Sequence, residues 1–274
     1  MKRFALLLGV VLGVVIECSL ARAAESGRLT IAADGKESSF TLKELRKRLK
    51  PVTVAIEDPV YHAKKEFEGF ALNEVLALGG IDAESAHDEL VFTAKDGYSP
   101  NTAFENLRKH KAILAFRERG GRPFGKVAQG KAMVSPAPYY VVWEEGKALE
   151  TQVPWPYQLV RIEAVQFSKK YAKIFPAGEK PESGVMKGFL RFKNECIRCH
   201  SVNLEGGDLG PELNAPRNVT EYWDRKTLLA FISDPTKFRY KSKMPPFPQL
   251  KGEEIDQVLD YLAYMKDRKI AAPK

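Results

Sequence analysis

Two cysteines and a histidine stand close together in "NECIRCHSVN", residues 194–203, as Cys196-Ile197-Arg198-Cys199-His200. Residue types at that spacing serve three chemistries: a redox dithiol, half of a tetrahedral zinc site, or the covalent anchor of a haem. A redox dithiol normally follows a strand in a βαβ unit, and no such pattern surrounds residue 196. Zinc needs two further ligands at suitable spacing, and the one remaining cysteine of the chain is the remote Cys18. A haem needs nothing more, because two thiols add to its vinyl groups and the next residue brings an imidazole to the iron. The motif favours the haem.

The elements that must position these residues are also legible. Gly188, Phe192 and Cys196 recur four apart and share one helix face. A glycine there lets a second helix cross closely, since no side chain holds the backbones apart. "EEIDQVLDYLAYMK" supplies that helix, with Ile255, Val258, Tyr261 and Leu262 on one face. Between them lie "LGPEL", the helical "EYWDRKTLLAFI", and "KSKMPPFPQL".

Over residues 184–270 this arrangement resembles a class I cytochrome c, an all-α fold. The resemblance implies one covalent haem c, with thioethers at Cys196 and Cys199 and His200 as proximal iron ligand. It also implies that the Pro211 carbonyl fixes the second ring nitrogen of His200, and that Met244 is the distal ligand. A methionine sulfur opposite histidine raises the reduction potential. Lys237, Arg239, Lys241 and Lys243 precede Met244. In such cytochromes they rim the haem edge and steer acidic redox proteins; ordinary solvated lysine is the alternative.

Residues 24–167 read as α+β. "RLTIAA", "PVTVAI", "ELVFTA", "KAILAFRE", "YYVVW" and "YQLVRIEAVQF" have strand character. Thr41 and Glu44 form a capping box opening the helix "LKELRKRL". "GFALNEVLALGG" and "PNTAFENLRKH" read as further helices, and Tyr98 of "DGYSP" as part of a turn. "EFEGFALNEVLALGG", the "AKDGY" turn and the closing strand together resemble the sulfite-oxidase type of molybdopterin-binding fold. Cofactor-bearing members of that family bind molybdenum through a cysteine, and residues 24–167 contain none, so the domain is expected to lack molybdopterin. His62, His87 and His110 lack convergent ligands and read as surface histidines.

Residues 168–183, "SKKYAKIFPAGEKPES", lose periodicity and read as a linker to the domain at 184–274. At the other end, Lys2 and Arg3, an apolar run from Phe4 to Ile16, and Ala21-Arg22-Ala23 predict a signal peptide over 1–23. The expected product is exported, periplasmic and soluble, with no stable membrane span. The formal net charge of +8 favours acidic partners. Basic residues interspersed with Asp and Glu, without an aromatic-basic module, argue against nucleic acid.

The chain therefore reads as a multidomain electron carrier whose amino-terminal domain docks redox partners. Two rivals stand beside that reading. One is a molybdopterin oxidoreductase passing electrons internally to haem, and the other a haem-based redox or ligand sensor.

Overall fold

The computed structural model describes residues 27–82, 85–130 and 132–271; the signal segment expected at residues 1–23 lies outside them. The chain opens with β1 (Arg28–Ala33), β2 (Lys36–Thr41) and α1 (Leu42–Arg48). The expected capping box is present: Glu44 N–H donates to Thr41 Oγ1 at 3.3 Å, and Thr41 N–H to the Glu44 carboxylate at 2.7 Å. There follow β3 (Val52–Asp58), β4 (Ala63–Ala71), α2 (Leu72–Ala77), β5 (Glu89–Ala94), β6 (Asn101–Ala103) and α3 (Phe104–Lys109). Then come β7 (Ala112–Glu118), the hairpin strands β8 (Val127–Gln129) and β9 (Ala132–Val134), β10 (Tyr140–Trp143), β11 (Leu159–Val165) and α4 (Phe167–Lys170).

Two sheets enclose the first core. One runs β2-β1-β11-β5-β6, with β1 and β11 parallel and the other neighbours antiparallel. The other is antiparallel, in the order β10-β7-β4-β3. Phe67 and Phe70 of β4 and Tyr140 to Trp143 of β10 meet Leu90 and Phe92 of β5 between them. Two expected helices are shorter than their sequence patterns. Gly69, Phe70 and Ala71 continue β4, and Asn101, Thr102 and Ala103 pair with β5, because sheet hydrogen bonding outcompetes local helix propensity there.

Strand β5 is buried on both faces. Successive side chains on a strand point to opposite sides, so Leu90 and Phe92 enter the first core while Val91 enters a second. That second core holds Val165, Phe167, Tyr171 and Ile174 together with Phe189, Phe192, Val258 and Tyr261. Residues 168–183, read from the sequence as a linker, contribute Tyr171 and Ile174 to this core. Ile174 is fully buried, and its carbonyl accepts the Tyr261 hydroxyl at 2.9 Å.

The helical part comprises α5 (Gly184–Arg191), a π-turn at Phe192–Cys196, α6 (Arg225–Ser233) and α7 (Gly252–Met265). A two-residue β pair, Ser201–Val202 with Glu205–Gly206, departs from a purely helical reading. The expected crossing of α5 on α7 is present: a Cβ on Gly188 would lie 1.8 Å from the Gln257 carbonyl oxygen. Overpacking of this kind typically costs about 1–3 kcal/mol. Gly188→Ala should lower the unfolding free energy by about that amount in a denaturant titration; unchanged stability would contradict the crossing.

Candidate haem site

The π-turn alters how the thiols are presented. Ile197 N–H donates to the Phe192 carbonyl at 2.9 Å, one residue beyond α-helical spacing. Cys199 and His200 N–H then both donate to the Cys196 carbonyl, at 3.0 and 2.9 Å, which folds the histidine back over the turn. Both cysteines are free and half-buried. Burial pushes the Cys196 thiol up to about 12 and raises Cys199 as well. Dithiol oxidoreductases need the opposite, a lowered thiol pKa, so the structure argues against the redox dithiol. Among the described residues no group of three or more His, Cys, Asp or Glu side chains converges so as to hold a metal ion by itself, so the four ligands of a structural zinc are not assembled there.

His200 is held in one tautomer. Its Nδ1 lies 2.8 Å from the Pro211 carbonyl oxygen. A carbonyl only accepts, so Nδ1 carries the hydrogen and Nε2 keeps its lone pair. Burial lowers the imidazole pKa against the opposing pull of the Pro211 hydrogen bond and the Glu212 charge, favouring the neutral ring. Gly210 packs flat on that ring: a Cβ there would stand 2.5 Å from His200 Cε1.

Behind Pro211, Glu212 acts as a hub that sequence reasoning missed. Its carboxylate accepts N–H bonds from Asn203, Leu204, Asn214 and Ala215 at 2.8, 2.9, 2.8 and 3.0 Å. Beneath it a buried amide ladder runs from Asn203 to Asn214 to Asn218, with steps of 2.8 and 2.7 Å, and ends on the Leu262 carbonyl of α7.

Cys196, Cys199, His200, Pro211 and Met244 all line one cavity of about 960 Å³. Small-molecule and cofactor sites span roughly 300–1,000 Å³. Phe192, Trp223, Leu228, Phe231 and Leu262 supply apolar walls. Met244 sits half-buried in an irregular loop that Pro245 and Pro246 stiffen. Two thiols, a neutral imidazole and a thioether around an apolar slot fit a covalently held haem.

Several lining residues come from the amino-terminal part, among them Asp96, Tyr98, Gln129, Trp155 and Tyr157. Of these, Tyr98 stands out in the sequence, as part of a turn or as a mark of the binding face that the family resemblance implies. The buried Trp155 Nε1–H has no hydrogen-bond partner among the described residues. His62 is exposed as expected, whereas His87 is largely buried, 3.1 Å from Asp34, and His110 meets Glu145 at 2.9 Å.

A cavity with this donor set belongs to a haem protein of the electron-transfer kind. Residues 184–262 match the family model described as "Cytochrome C oxidase, cbb3-type, subunit III". Cytochrome c of Theileria annulata is 31% identical over 114 residues, which is 35% of this chain and 96% of that protein. Cytochrome c of Sesamum indicum is 29% identical over 107 residues, 32% of this chain and 94% of its own length. Through this carboxy-terminal region the chain belongs to the cytochrome c family. Among solved structures, the sulfane dehydrogenase SoxCD from Paracoccus pantotrophus is similar with a TM-score of 0.37 and 17% identity. That likeness covers 57% of this chain and 44% of the other, and is too loose to define a fold.

Glu212 generates a pH prediction. Desolvation alone would raise its pKa, but hydrogen bonds from Leu204, Ser201, Ala215 and Asn214 outweigh it and hold the value below the ordinary 4.5. A depressed carboxylate stabilises the fold above its unfolded pKa and loses that contribution as pH falls through the folded value. Glu212→Gln should therefore lower the melting temperature at neutral pH by leaving backbone N–H groups unpaired, about 1–3 kcal/mol for each such buried donor. The gap between parent and variant should close as pH drops below about 4.5. A gap independent of pH would remove Glu212 from its role as an ionised hub.

Proposed function

We propose that the protein is an exported monohaem electron carrier of the periplasm. In this reading Cys196 and Cys199 would hold haem c through thioethers, His200 and Met244 would ligate its iron, and the Pro211 carbonyl would fix the imidazole. The observation that carries it is the 2.8 Å contact between His200 Nδ1 and the Pro211 oxygen, beside a cavity that both thiols and Met244 also line. When bound, the group supplies one-electron exchange between ferric and ferrous iron. The chain's own residues keep a neutral imidazole oriented, offer a soft sulfur, and surround both with apolar walls that exclude water.

The partners in this reading are acidic redox proteins. Lys237, Arg239, Lys241 and Lys243 are all exposed on the loop that leads into Met244, with Phe238 and Tyr240 exposed between them. A basic rim with aromatic faces speeds encounter with acidic surfaces in a salt-dependent way. Among the described residues no helix is long and apolar enough to cross a membrane. We assign residues 1–23 to a signal peptide, 24–167 to a domain of sulfite-oxidase type acting as a docking module without molybdopterin, 168–183 to a connecting segment and 184–274 to the cytochrome domain.

Elemental analysis tests this on protein exported from a host competent in both haem attachment and molybdopterin synthesis. One iron and no molybdenum per chain is the expected result; stoichiometric molybdenum would replace the carrier with a self-contained oxidoreductase. Met244→Ala tests the axial assignment. The reduced variant should bind carbon monoxide at neutral pH while the parent resists it. Binding by both would remove Met244 from the iron.

A further inference from the structure

The cytochrome part does not close its own cavity. The turn that follows β5 lies directly against the cysteine motif, joined to it by backbone hydrogen bonds. Ser99 N–H donates to the carbonyl of Arg198, the residue between Ile197 and Cys199, at 2.7 Å. Asp208 N–H donates to the Gly97 carbonyl at 3.2 Å. Gly97 has φ +86°, and a Cβ there would stand 1.5 Å from Asp208 Oδ1 and 3.2 Å from the Asp208 carbonyl carbon. Only glycine allows that approach without strain. The turn is therefore fitted to the motif and does not merely lie near it.

Asp96 sits at the head of this turn, on the cavity wall. Both of its carboxylate oxygens are tied: Oδ1 accepts Tyr98 N–H at 3.1 Å, and Oδ2 accepts the Gln129 amide at 2.8 Å. The carboxylate cannot swing away into solvent without breaking both bonds. It faces the same cavity as Cys196, Cys199 and His200.

We infer that the amino-terminal domain completes the haem site, and that Asp96 sets the reduction potential of the haem from across the domain boundary. This rests on the proposed attachment at Cys196 and Cys199. The ferric form carries one more positive charge than the ferrous, so a fixed anion on the cavity wall favours the ferric form and lowers the potential. The electron comes from, and returns to, a redox protein partner, and no bond within this chain is made or broken. The domain is thus an internal partner of the haem, whatever else it docks.

The test is spectroelectrochemical titration of the full-length, haem-loaded chain. Asp96→Asn should shift the equilibrium toward ferrous iron on the order of tenfold, ~59 mV for one electron. Asp96→Ala removes the same charge without putting an amide in its place and should shift it the same way. Asp34→Asn is the control, because Asp34 lies on the same domain with a side chain 80% exposed and does not line the cavity. Shifts of the same sign in the two Asp96 variants, both larger than the control, support the inference. Any other pattern in haem-loaded protein overturns it and leaves the proposed carrier function standing. A parent chain that carries no haem overturns that function, and this inference with it.

Discussion

One strand has to satisfy two cores, and much of the molecule follows from that. The side chains of β5 alternate, so Leu90 and Phe92 fill the space between the two sheets while Val91 faces the helices. A one-residue slip in its pairing with β11 would exchange these sets and spoil both cores together. Burying an aliphatic or aromatic side chain is worth roughly 1.5–3 kcal/mol. Val91, Val165, Phe167 and Ile174 together therefore outweigh the ion pair that Lys193 makes with the buried Glu89 across the same boundary, because the cost of taking that pair out of water offsets much of its attraction. Apolar burial makes the join, and the charges decorate it.

The same strand aims the site. Where β5 ends at Ala94, the chain turns through Asp96 and Gly97 and arrives at the backbone of Arg198 and Asp208. The position of that turn is inherited from the sheet, because a strand locked on both faces leaves its end little freedom. On the opposite side, Pro211 is fixed by an unrelated device, the Glu212 hub and the amide ladder down to Leu262. A half-buried carboxylate and three buried amides are tolerated only because their hydrogen-bonding groups find partners. The motif is thus gripped by a sheet on one side and a polar network on the other.

Legibility in the sequence follows the same division. The haem motif could be read because its chemistry is contiguous: two thiols and an imidazole in five residues have few uses. The α5–α7 crossing could be read because helix faces repeat with a fixed period, marked here by Gly188 and the row from Ile255 to Leu262. Pro211 and Met244 came from family resemblance, since neither a carbonyl nor a lone methionine in a proline-rich loop carries a periodic signal. Asp96 was read only as part of the "AKDGY" turn, and Gln129 and Trp155 were not singled out. They reach the cavity from a turn, a hairpin and a loop, and only the tertiary fold brings them together. One clue was available: Leu90-Val91-Phe92 is continuously apolar where a half-buried strand would alternate, and such runs belong to strands covered on both faces.

That clue bears on how a partner can reach the haem. The turn after that strand lies against one side of the cavity, where Asp96 and Tyr98 form part of the wall. The basic loop from Lys237 to Lys243 borders the same cavity from the helical side, and Tyr240 at its centre is 82% exposed. Charge favours this second side for an acidic protein, because the wall presents a carboxylate and the loop presents cations. On the proposed reading the two sides divide the work: the sheet would tune the environment of the group, and the loop would receive what exchanges electrons with it. That reading gives a carrier a reason to keep a second domain folded tightly against the cavity. A domain that served only to recruit partners could hang on a flexible linker and gain effective concentration without any buried join. Val91 and Ile174 are buried in just such a join.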